Sequence, residues 1–147
     1  MSFDSIYNIA AGALSANRIR INVVASNIAN AETTRTEEGG PYRRRDVVMT
    51  TVTPKKNDNF STELAKAGLK GVRVAEIRED QNPPRMVYDP SHPDADPVTG
   101  VVQMPNINPV TEMTNMLTAS AAYKAMSEIV GVTKDLANSL KNMAKTG

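Results

Sequence analysis

Residues 26–46, "SNIANAETTRTEEGGPYRRRD", pass from an apolar helical pattern through a polar, glycine-marked break into a basic, strand-like run. Where this stretch stops being helix decides the fold. Everything before it reads with a period near 3.5 and everything shortly after it with a period of 2, so a long helix must give way to extended chain. Gly39, Gly40 and Pro41 let the chain turn out of the helical layer.

Upstream, residues 3–31 written as heptads place Tyr7, Leu14, Ile21 and Ile28 at one seam position. Phe3, Ala10, Asn17, Val24 and Ala31 fall at the other, with Asn17 the one amide among them. No proline interrupts this run, which predicts one long helix. At the far end, "NINPVTEM" carries a start signal. Asn108 is placed to cap the first free amides, and Pro109 sits at the first helical position, where its fixed φ and missing N–H do no harm. From there to Lys145 there is no proline, and Met126, Ile129, Thr133, Leu136, Leu140 and Met143 recur at spacings of three and four, preceded by Met113, Met116 and Leu117. Lys141 and Lys145 fall near the negative end of the helix dipole.

Between the helices, residues 42–52, 71–77, 85–89 and 101–104 form short β-branched runs separated by Gly, Pro, Asn and Asp, the pattern of strands in a small antiparallel sheet or extended hairpins. Residues 55–70 are polar, with a helical turn expected around Thr62 to Ala67, and "DPSHPDADPVTG" (89–100) reads as an ordered loop. The fold class is therefore α+β. Residues 1–34 and 108–147 form two helices packing as a coiled-coil-like pair, and residues 35–107 form the extended β/loop segment between them.

Composition removes several function classes. In 147 residues there are no cysteines, one histidine and a formal net charge of +1, so there is no disulfide framework, thiolate metal site or cysteine nucleophile, and no electrostatic case for nucleic acid. Arg43, Arg44 and Arg45 alternate faces if they lie in a strand and so make no single basic stripe; acidic neighbours are the expected partners. The strongest enzymatic reading groups His92 with Asp89, Asp94 and Asp96. One histidine among carboxylates makes a poor zinc site, and the spacing fits no EF-hand, so the stretch reads as a solvated turn. No Gly-x-Ser-x-Gly elbow, phosphate loop or dinucleotide fingerprint occurs. Hence no cofactor, metal, small-molecule substrate or catalytic residue is expected. The N-terminus has Asp4 and no arginine before Arg18, unlike a secretory signal, and no window approaches the ~20 apolar residues needed to cross a bilayer.

The scarcity of bulky groups, with two Phe, four Tyr and no Trp, leaves the terminal helices with an alanine-rich seam. Ala10, Ala11, Gly12, Ala13, Ala16, Ala119, Ala121 and Ala122 suit close approach by several neighbouring helices. Subunit contacts are accordingly expected at Tyr7, Leu14, Ile21, Val24, Asn27, Ile28 and Asn30 on the first helix. On the last they are expected at Met116, Tyr123, Met126, Ile129, Leu136, Leu140 and Met143. Asn27 and Asn30 lie three apart on one face. Their amides either reach adjacent subunits and set axial register or fray and cap the helix end.

These residues carry a resemblance. "ALSANRIRINVVASNIANAETT" resembles the N-terminal motif of the flagellar axial proteins, which comprise rod, hook and hook–filament junction subunits. "TRTEEGGPYRRRDVVM", "PPRMVYDPSHPDADPVTGVVQMPNINPVTEM" and "MLTASAAYKAM" are similar to its proximal-rod members. Such rod proteins often carry Arg and Asn where this chain has Ala121 and Met126 in "SAAYKAM". The resemblance implies a structural subunit of the basal-body rod, exported unfolded through the flagellar type III apparatus and assembled in the periplasmic space with other rod proteins and copies of itself. A generic coiled-coil adaptor, or another axial rod or hook subunit, is the alternative reading.

Overall fold

The computed structural model describes residues 4–53 and 70–146. The expectations for Phe3 and for a turn at 62–67 lie outside those residues. The described elements are α1 (Asp4–Ala29), β1 (Arg45–Val52), β2 (Gly71–Glu79), β3 (Arg85–Tyr88), β4 (Val101–Met104) and α2 (Pro109–Thr146). The class is α+β, two long helices with short strands between them. With 26 and 38 residues, the helices extend about 39 and 57 Å at ~1.5 Å per residue.

The termini of both helices have identifiable causes. Asn108 caps α2, its Oδ1 accepting from the amides of Val110 at 3.0 Å and Thr111 at 3.4 Å, with Pro109 in the first turn. At the end of α1 the chain tightens. Ala31 N–H donates to Ile28 O and Thr33 N–H to Asn30 O, while the Ser26 carbonyl accepts both the Asn30 backbone N–H at 3.1 Å and the Asn30 side-chain amide at 2.9 Å. Among the described residues no non-glycine residue has positive φ, so Asn30 caps without entering the left-handed region. Gly39 and Gly40 do enter it, at φ 90° and 76°, in the turn closed by Thr36 N–H on Gly40 O and Tyr42 N–H on Thr33 O.

Two two-stranded sheets follow, β1 with β2 and β3 with β4. The second is antiparallel in the register Arg85 to Met104 and Val87 to Val102. Alternation then turns Val87 and Val102 to one face and Met86 and Tyr88 to the other, and Val102 is buried while Met86 and Tyr88 are exposed.

The chain folds as two compact units that cut across the three sequence segments. One gathers the described residues of Met1–Ile19, Met49–Ala75 and Thr118–Gly147, the other Arg20–Val48 and Glu76–Leu117. In the first, the buried apolar residues are Ala10, Ala13, Ala16 and Ala119. Its tightest approach is at Gly12, where a Cβ would stand 2.8 Å from the carbonyl oxygen of Val72. The small residue expected to admit a neighbouring helix instead admits strand β2 of its own chain. In the second unit, Val24, Ala31, Val102 and Ile107 are buried together with two polar side chains, Asn27 and Glu112. The heptad seams therefore diverge. Ala10, Val24 and Ala31 are buried, while Tyr7, Leu14, Ile21 and Ile28 are only half-buried, and half-buried Asn17 spends its amide on Ala13 O at 2.9 Å.

Candidate assembly surface

Two features stand out on these elements, a buried polar junction and an exposed apolar ridge. The junction forms where the end of α1, the start of β1 and the first turn of α2 meet. Asn27 is fully buried. Its Nδ2 donates to Arg45 O at 2.8 Å and to Glu112 Oε2 at 2.9 Å; its Oδ1 accepts from Arg45 N–H at 2.9 Å and from the Tyr42 hydroxyl at 3.3 Å. A side-chain amide has two donors and two acceptor lone pairs, so all four positions are filled, and a flipped amide would face donors with donors. Arg44 O takes the amide of Asp80 at 2.7 Å, at the end of β2. The next residue, Arg45, points its own N–H and C=O the other way, and there Asn27 stands in for the missing strand. Glu112 completes the junction, its Oε1 accepting from Arg44 Nε and Nη2, both at 2.9 Å.

Within its own chain Asn27, placed by spacing on one face with Asn30, is already fully engaged, because the strand edge, the Tyr42 hydroxyl and the Glu112 carboxylate use every hydrogen-bonding position of its amide. Asn30 is likewise occupied locally, on Ser26 O and Thr33 Oγ1. The arginines find acids of the same chain: Arg44 meets Glu112, and Arg45 meets Glu79 at 3.2 Å while lying 5.7 Å from the Tyr42 ring centroid. Spacing could not reveal Tyr42, Arg44 or Glu112 as junction residues. Asn27 and Glu112 are 85 residues apart, and an acid in the first turn of a helix reads as a dipole partner.

The ridge lies on α2. The helix turns Glu112, Ala119, Ala122, Met126, Val130, Thr133 and Ala137 toward cover and leaves Ile129 at 45%, Val132 at 68%, Leu136 at 54% and Leu140 at 43% exposure. Of the residues expected to line contacts, Val24 and Asn27 are buried, and Tyr7, Leu14, Ile21, Ile28, Asn30, Met116 and Met126 are half-buried. Tyr123, Ile129, Leu136, Leu140 and Met143 are exposed. The single stripe read from sequence thus divides, Met126 and Thr133 on the covered side and the larger groups outside. Ala121 is exposed.

Loop 89–100 spends its polar groups on itself and on the turn after α1. His92 Nδ1 accepts from Asp94 N–H at 3.0 Å, and the Asp94 carboxylate takes Thr34 Oγ1 at 2.8 Å and Arg35 Nη2 at 3.4 Å. The Ser91 hydroxyl and amide hold the Asp89 carboxyl below the usual range, and the Thr99 and Val98 amides do the same for Asp96. Among the described residues no group of three or more acids and histidines is placed to hold a metal, and no helix is long and apolar enough to cross a membrane.

The chain thus combines a long helix with an exposed apolar ridge and a closed polar junction at that helix's first turn. The family described as flagella basal body rod protein matches residues 8–35, and that described as flagellar basal body rod FlgEFG protein C-terminal matches residues 98–143. The chain is 39% identical to the flagellar basal-body rod protein FlgC of Borreliella burgdorferi, over 92% of this chain and 93% of that one. It is 39% identical to FlgC of Escherichia coli O157:H7 with the same coverage, and 38% identical to FlgC of Bacillus subtilis over 88% and 89%. The chain belongs to the FlgC family of flagellar basal-body rod proteins.

Proposed function

We propose that the chain works without catalysis, as a structural subunit of the proximal part of the flagellar basal-body rod, joined to other rod proteins and to copies of itself through its terminal helices. The observation that carries the helical part of this reading is the ridge. Fully burying a Leu, Ile or Val side chain is worth about 1.5–3 kcal/mol, so four such groups left roughly half exposed hold on the order of 3–6 kcal/mol for a contact outside the chain. An adaptor of generic coiled-coil type would use the same ridge, but family membership favours the rod. Delivery unfolded through the flagellar export apparatus and assembly in the periplasmic space belong to the same reading.

Deletion of the coding sequence tests it. Cells without the protein should keep the membrane ring of the basal body yet build neither rod nor filament, and re-expression should restore both. A complete rod in the deletion strain would overturn the assignment.

A further inference from the structure

Glu112 is the only buried acid among the described residues, 1% exposed, and it holds no part of the exposed ridge. Its Oε2 accepts from Asn27, and its Oε1 from both Arg44 nitrogens and, at 3.4 Å, from Asn115 Nδ2. A carboxylate removed from water is tolerated only while its acceptor positions are filled. Sliding α1 by one residue against the start of α2 would swing Asn27 by about 100° around its helix and strip Glu112 of one donor. Apolar burial is non-directional and gives no such discrimination. The junction therefore has one satisfied register.

We infer that Glu112 is a positioning residue for assembly: through Asn27 and Arg44 it sets the register of α1 against the start of α2 within a single chain, before any neighbouring subunit is met. In coiled coils a single buried polar residue selects register at a cost in stability; here the selecting group acts inside the subunit. The inference rests on the rod reading only for what the register serves.

The chain has no cysteine, so Asn22→Cys and Thr111→Cys, both exposed, give a unique pair of spin-label sites on α1 and α2 of the full-length free subunit. The parent chain should give one narrow distance distribution. Glu112→Gln keeps the shape but not the charge; it should broaden the distribution and lower incorporation into rods about tenfold, the scale of one lost charge-assisted hydrogen bond. To separate register from stability, Arg44→Met with Glu112→Leu replaces the ion pair by apolar groups. It should recover the thermal melt while leaving the distribution broad and incorporation low. A narrow distribution in both variants would overturn the inference, as would incorporation that follows the melting temperature rather than the distribution. Broadening with undiminished incorporation would overturn the role in assembly and leave the rod reading standing. Failure of the unsubstituted chain to enter rods would instead remove the rod reading.

Discussion

The two ends of α2 solve opposite problems. Its first turn enters a site where every buried polar side-chain atom among the described residues has a partner, and Asn27, Arg44, Tyr42 and Glu112 leave nothing for an outside molecule to complete. Its distal half leaves leucine, isoleucine and valine in water. The difference teaches which part of the subunit is specified internally. Directional bonds close the second unit, whereas the first is buried through small side chains and presents its larger ones outward.

Charging the ridge should have the largest effect. Leu136→Asp with Leu140→Asp would place two carboxylates in the layer proposed to be dry in the rod, where each unpaired charge would cost at least several kcal/mol, although both remain hydrated on the free helix. Incorporation should fail while the free subunit's thermal melt barely moves; Lys134→Ala, an exposed change on the polar side of α2, should assemble normally. A melt that collapses with the Asp pair would mean the ridge is already core.

Next comes the junction, where the comparison predicts the reverse. Asn27→Asp removes both donors and sets a second carboxylate beside Glu112, so denaturant unfolding should show a loss of about 3–5 kcal/mol. Asn27→Ala, which leaves bare partners without adding charge, should cost about 1–3 kcal/mol. If Asn27→Asp proved the milder change, the assigned amide orientation would be wrong.

In the alanine-lined unit the sensitive position is Gly12. An added methyl would meet backbone rather than a flexible side chain, so Gly12→Ala should lower stability by about 1–3 kcal/mol, read from the thermal melt. An unchanged melt would show that β2 can retreat.

The smallest effects belong to loop 89–100. The folded Asp89 and Asp96 carboxyls titrate below the 3.8 of a free side chain. A depressed acid contributes stability that is present above the unfolded value and is lost as pH falls through the folded one. The amide resonances of Ser91, Val98 and Thr99 should therefore stay constant from neutral pH to about 4 and shift only below it. His92→Ala removes one acceptor and should cost about 0.5–1.5 kcal/mol without affecting rod assembly.

Both helices, the four strands and the cap at Asn108 were legible in the sequence, because hydrophobic period, β-branched runs and the Asn-Pro start are local and need no partner to be read. The contact residues were legible only as a stripe. Which side of that stripe lies inside depends on what covers it, and helical spacing cannot separate Met126, half-buried, from Leu136, three turns on and exposed. Asn27 shows the limit most clearly. Its place on a helix face followed from spacing, but its task was set by Arg45 and Glu112, eighteen and eighty-five residues away. A hydrogen bond acts over about 3 Å in space, whatever the separation along the chain. Local periodicity thus determined the elements, and tertiary structure alone decided which polar groups are closed within the chain and which apolar ones remain exposed.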